Sequence, residues 1–250
     1  MAAPARARSW LLGAPVDAVS LPAAATWVLD AVRQGAFRLV VTLNPEIVVG
    51  AARDPALLAA LRAADLSVAD GVGISLAARL RGRPLPGRVP GVDLVGEVLR
   101  RGGEELSVFF LGGRPGVAER AAETAARRYG CRVAGTYHGY FRRPGGEPEV
   151  CAAVAASGAR LLLAGLGPGQ ERFLHEHRDA LGPVVAIGVG GTLDVLAGTA
   201  RRMPAWSSRL GVEWVLRVGL DPRRWRRVPN LLRFAWMVAA GRDIPDAAGR

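Results

Sequence analysis

Ser107–Tyr129 reads SVFFLGGRPGVAERAAETAARRY, and this stretch decides the fold. SVFFL is a short apolar run without polar alternation, the mark of a strand covered on both faces. Gly112-Gly113 ends it. From Pro115 to Tyr129 apolar residues recur at helical spacing, and Pro115 suits a helix start because the first turn needs no N–H there. Strand, glycine turn and helix form the repeating unit of a parallel α/β sheet.

The unit recurs on either side. Phe37–Thr42 (FRLVVT), Arg160–Ala164 (RLLLA) and Val184–Val189 (VVAIGV) read as further buried parallel strands. Helical spacing marks Ala23–Arg33, with Ser20 as N-cap, and also Asp54–Ala64, Val92–Arg101, Glu147–Ala156 and Gln170–Leu181. The fold class is therefore α/β, with a mostly parallel sheet and flanking helices.

Glycines also follow RLLLA (GLGPG, Gly165–Gly169) and VVAI (GVGG, Gly188–Gly191). With Gly112 and Gly113 they make three glycine-rich turns at the carboxyl ends of parallel strands, where an open α/β sheet holds its ligand. Backbone N–H groups and helix N-termini there suit a diphosphate. None of the turns has P-loop or GxGxxG spacing.

Half of the 250 residues are hydrophobic, which excludes wholesale disorder and permits a large core. Every one of the 33 basic side chains is Arg, and the net charge is +11. The last fifty residues hold eleven arginines against Glu213, Asp221, Asp243 and Asp246, together with Trp206, Trp214, Trp225 and Trp236. Charge alone fits either nucleic acid or an anionic membrane, and the tryptophans favour the bilayer surface. Residues 1–202 are expected to form the core and 203–250 an appendage, with one helix between Pro204 and Pro222 and a second over Arg223–Ala239. In GVEWVLRVGLDPRRWRR (Gly211–Arg227), Arg217, Arg224 and Arg227 share a helical face and can grip phosphate, while Trp225 points elsewhere, toward lipid.

Cys131 and Cys151 have no CxxC partner, so they read as buried small hydrophobes in a reducing compartment. Pro15 and Asp17 interrupt the N-terminal apolar run too early for a signal peptide. No stretch reaches the length of a spanning helix, so a cytoplasmic protein with peripheral membrane contact is expected.

Val68-Ala69-Asp70-Gly71 puts a carboxylate directly after a short apolar strand. Asp70 is thus a candidate general base for an acceptor hydroxyl, or else the cap of a helix starting near Gly71. Thr42 and Asn44 in VTLNPE would bring a hydroxyl and an amide to the same sheet edge, or would make turn bonds before Pro45. His138 lies between aromatics in TYHGYF, and His175 and His177 lie on different helical faces. No metal-ligand cluster or Asp-x-Asp motif is present in the sequence, which points to metal-independent chemistry.

The ordered set LLGAPVDAVS (11–20), VTLNPEIV (41–48), ADLSVADGVGIS (64–75), GRVPGVDLV (87–95), VFFLGGRPGVAERAA (108–122), GTYHGYF (135–141), GLGPGQE (165–171), GVGGTLDVLAGTARRMPAW (188–206) and GVEWVLRVGLDPRRWRR (211–227) resembles the WecG/TagA/CpsF glycosyltransferases. The resemblance spans residues 10–235 or so. It implies a Rossmann-like core with a C-terminal appendage. It also implies inverting transfer of a sugar, typically N-acetylmannosamine, from a UDP-sugar donor to a polyprenyl-diphosphate-linked acceptor in cell-wall polymer or polysaccharide assembly. By the same resemblance Asp70 is the base and Thr42 its active-site neighbour; Asn44 is added as a catalytic candidate by its place at the same sheet edge, and no cofactor or metal is expected. Donor or diphosphate contacts are expected from Arg88, Gly112, Gly113, Gln170, Glu171, Gly190, Asp194, Arg217, Arg224 and Arg227. Trp225 and Trp236 are the expected contacts with an anionic membrane on its inner face. GLGPGQE is one residue shorter than the usual GLGSPKQE and lacks its lysine. UDP-glucose or a UDP-uronic acid as donor, a non-catalytic nucleic-acid- or membrane-binding role, and homo-oligomerisation stay open. The resemblance implies a transferase, and no nucleic-acid partner is expected.

Overall fold

The computed structural model describes residues 7–141, 145–200 and 228–241. The chain opens with an antiparallel hairpin, β1 (Arg8–Leu11) and β2 (Ala14–Asp17), followed by α1 (Leu21–Gln34). Next come β3 (Arg38–Leu43), α2 (Pro45–Ala51), α3 (Pro55–Arg62), β4 (Leu66–Ala69), α4 (Val72–Leu80) and α5 (Gly91–Gly102). A short 3-10 turn leads to β5 (Ser107–Gly112), α6 (Val117–Tyr129), β6 (Arg132–Tyr137) and α7 (Gly146–Ala156). Then follow β7 (Leu161–Gly165), α8 (Gln170–Glu176), α9 (Arg178–Leu181), β8 (Val185–Gly188) and α10 (Thr192–Leu196). The last described helix is α11 (Val228–Ala239).

Six strands form one sheet in the order β4-β3-β8-β7-β5-β6, and every pairing in it is parallel. Side-chain alternation divides each strand between two layers. Leu39, Val41, Phe109, Leu111, Leu162 and Ala164 join a cluster with α2, α3, α7 and α8. Val40, Val108, Phe110, Leu161 and Leu163 join a second with α1, α5 and α6. Helices cover both faces, which is why the strands read as unbroken apolar runs.

Ser20 caps α1 by accepting from the Ala23 N–H at 3.4 Å, and all four strands expected around residues 37–42, 107–111, 160–164 and 184–189 form. Cys131 and Cys151 are buried free thiols, and burial pushes Cys151 up to about 11. Two boundaries differ from expectation. Pro115 is not in the helix: Gly116, at φ +84°, turns the chain, and α6 begins at Val117. The single helix expected over Gln170–Leu181 is two, broken at His177, whose ring packs on Phe173 and lies 3.2 Å from Glu147.

The hairpin and β6 escape periodicity. β1–β2 has four-residue strands joined through Leu12 at φ +51° and Gly13, and is held by Arg8, whose guanidinium forks onto the buried Asp17 carboxylate at 2.9 Å. β6 is an edge strand with exposed Arg132 and Val133, so it has no apolar run to betray it. Of the expected appendage, the helix between Pro204 and Pro222 and residues 223–227 lie outside the described residues. The helix α11 buries Phe234 and Met237 and leaves Leu232 and Trp236 outward, at 68% and 54% exposure. Phe234 reaches the α4 face at Gly73, so α11 packs onto the core beside the segment that follows Asp70.

Candidate active site

Register alignment brings the strand ends together. Leu43 of β3 pairs with Ala69 of β4, Gly188 of β8 with Ala164 of β7, and Gly112 of β5 with Gly165 of β7. Asp70, Asn44 and the three glycine turns therefore all leave one carboxyl edge of the sheet.

Asp70 does not cap α4, whose N-cap is Gly71 with no side-chain bond. Gly71 stands at φ +95°, ψ 152°, a conformation open to little but glycine, and it throws the chain away from the strand end. The Asp70 carboxylate instead accepts from the N–H of Gly91, first residue of α5, at 3.3 Å. A twelve-residue helix thus points its positive end at the candidate base. Gly91 also touches Thr42: a Cβ there would lie 3.2 Å from the threonine methyl. Thr42 is buried and donates its hydroxyl proton to the Gly188 carbonyl at 2.8 Å, linking β3 to β8. Asp70 and Thr42 converge on Gly91, which sequence reasoning did not single out. Its signal was the Pro-Gly step in GRVPGVDLV.

Asn44 accepts from the Ile47 N–H at 3.1 Å as the N-cap of α2, the local bond weighed against a catalytic role. Asn44→Ala should lower stability by about 1 kcal/mol, and Asn44→Asp should restore it, in denaturant unfolding. Arg88 is half-buried in the α4–α5 loop, which is tied to the end of β4 by Val89 N–H to Ala69 carbonyl at 2.8 Å.

The glycine turns are interlocked. The Gly113 N–H donates to the Gly165 carbonyl at 3.1 Å, and that of Gly139, beyond β6, to the Gly113 carbonyl at 2.8 Å. His138 accepts from the Tyr140 N–H through Nδ1 at 3.2 Å, a local bond within this turn. Gly190 stands at φ +49° between β8 and α10. Asp194 in α10 accepts from the Thr199 hydroxyl at 3.3 Å, closing the helix end. Gln170 and Glu171 lie buried below the turns and hydrogen-bond to each other at 2.7 Å. Arg217, Arg224, Arg227 and Trp225 lie outside the described residues. Among the described residues no cluster of three His, Cys, Asp or Glu side chains could hold a metal ion.

This edge offers a carboxylate held at a helix N-terminus, a neighbouring threonine and a row of glycine turns, the parts needed to activate a hydroxyl beside an anionic ligand. Residues 9–245 match the glycosyl transferase WecG/TagA/CpsF family. The chain belongs to that family. The transferase is 35% identical over 208 residues to N-acetylglucosaminyldiphosphoundecaprenol N-acetyl-beta-D-mannosaminyltransferase of Bacillus spizizenii, covering 82% of this chain and 79% of the relative. It is 30% identical to the protein of the same name from Bacillus subtilis, covering 80% and 78%. As a WecG/TagA/CpsF member the protein is a glycosyltransferase, and the edge bearing Asp70 is its candidate active site.

Proposed function

We propose that this transferase moves N-acetylmannosamine from a UDP-sugar to an N-acetylglucosamine carried on a polyprenyl diphosphate, in cell-wall polymer or polysaccharide synthesis. The observation that carries the reading is the Asp70 carboxylate at the α5 N-terminus, in a chain matching the two mannosaminyltransferases over four-fifths of its length.

Asp70 takes the proton of the acceptor hydroxyl as its oxygen attacks C1 of the donor sugar. The C1–O bond to UDP breaks from the opposite face, its electron pair leaving on the β-phosphate, and C1 inverts to the β-linked product. Amides of the glycine turns, with Arg88, Arg217, Arg224 and Arg227, offset the charge that grows on UDP. Transfer is expected to persist after dialysis against EDTA. Loss of transfer that magnesium or manganese restores would reverse that expectation.

Residues 1–202 serve as the catalytic core, and 203–250 as the part that meets diphosphate and membrane. No helix among the described residues is long and apolar enough to cross a membrane. The outward pair Leu232 and Trp236, with Arg233 between them, suits the surface of an anionic bilayer, so the protein works peripherally on the inner face. Substituting Leu232 or Trp236 by Ala should weaken binding to phosphatidylglycerol vesicles by roughly 3- to 10-fold, leaving transfer to a water-soluble acceptor intact.

The deciding experiment offers UDP-N-acetylmannosamine, UDP-glucose and a UDP-uronic acid with a short-chain polyprenyl-diphosphate N-acetylglucosamine. Transfer from the first alone is expected. Transfer from another donor alone would move the reading to that sugar, and none from any would overturn it.

A further inference from the structure

β7 and β8 each end in a glycine-rich turn, and one side chain joins the two. Gln170 Oε1 accepts from the Leu166 N–H at 3.3 Å and from the Gly190 N–H at 3.2 Å, while its Nε2 donates to Glu171 Oε1 at 2.7 Å. Both residues are more than nine-tenths buried. The arrangement allows one amide orientation, because the reverse would set NH₂ against two N–H donors and oxygen against a carboxylate. The pair also lies against β8: a Cβ at Gly188 would sit 2.9 Å from Gln170 Nε2 and 3.1 Å from Glu171 Oε1. Gly188 in turn receives the Thr42 hydroxyl, and Thr42 abuts Gly91, the residue that holds Asp70.

We infer that Gln170 and Glu171 are positioning residues, a clasp that fixes the spacing of the β7 and β8 turns for transfer without touching the donor. This replaces the donor contact expected from the sequence and rests on the transferase reading above. Burial pushes the Glu171 carboxyl up from its ordinary range, and the Gln170 N–H and Glu171's own backbone N–H pull the other way. The Gln170 amide is thus the side-chain group that opposes the effect of burial on this carboxyl.

The test uses the full-length protein and two variants. Gln170→Glu keeps an acceptor for the two backbone N–H groups but sets two carboxyls together, which can pair only by sharing a proton. Its kcat/KM should fall roughly 10-fold or more near pH 8 and recover toward pH 6. The exchange Q170E/E171Q restores one amide donor facing one carboxylate, with both backbone N–H groups still accepted. It should return kcat/KM to within about 3-fold of wild type across that range. His175 and His177, on or just after the same helix, are unchanged in both variants, so the difference between the profiles belongs to the pair. Hydrogen exchange at the Leu166 and Gly190 amides should speed up in Gln170→Glu and slow again in the exchange variant.

An exchange variant that folds but stays as inactive as Gln170→Glu would mean that one of the side chains contacts substrate, and the clasp would be wrong. Failure of the exchange variant to fold, or wild-type kcat/KM in Gln170→Glu, would overturn it equally. Were wild type to transfer no sugar, the functional reading would fail on its own control, and the two amides would still report whether the clasp exists.

Discussion

Asp70→Asn is expected to lower turnover by roughly 100-fold or more while leaving UDP affinity within a few-fold. Asn keeps an oxygen that can accept from the Gly91 N–H, so the 3.3 Å bond and the start of α5 survive the change. It cannot take a proton from an attacking hydroxyl. The contrast isolates basicity from architecture, because Thr42 is held independently by its bond to Gly188. Turnover measured with a soluble acceptor, beside a thermal melt matching wild type, checks it. Undiminished turnover in a folded variant would remove Asp70 from the mechanism.

Gly112→Ala should be the most damaging glycine substitution at the sheet edge. A Cβ there would lie 2.3 Å from the Gly165 carbonyl oxygen and 2.6 Å from its carbon, with the backbone at φ +136°. The obstacle is the backbone of β7, which a rotamer change cannot move. Strain and forced displacement together cost about 3 kcal/mol or more. They also open the β5–β7 junction that carries two of the glycine turns. Gly167→Ala is the control: its φ is +72° but nothing lies within 4 Å of an added Cβ. That variant should lose about 1–2 kcal/mol, the cost of the left-handed conformation alone. Chemical unfolding of the two side by side tests the difference, and equal losses would show that the contact with β7 is not the cause.

The sequence by itself determined the layered α/β fold, because strands such as FRLVVT and SVFFL are buried on both faces and carry that burial as unbroken apolar runs. It determined which strand ends share one edge, since a parallel sheet sends every strand-to-helix turn to one side. Local caps such as Ser20 were legible for the same reason: both partners lie within one turn of chain. Edge strand β6 and the β1–β2 hairpin were not legible, because half-exposed short strands bury too little to impose a period. Only the tertiary structure decided which partner each edge residue meets. Asn44 became a helix cap and Gln170 a tie between two turns. Asp70 met the N-terminus of a helix 21 positions away. Such bonds depend on the order β4-β3-β8-β7-β5-β6, which places distant segments side by side. Periodicity reports which face of an element is buried, and it carries no information about which partner the fold brings to that face.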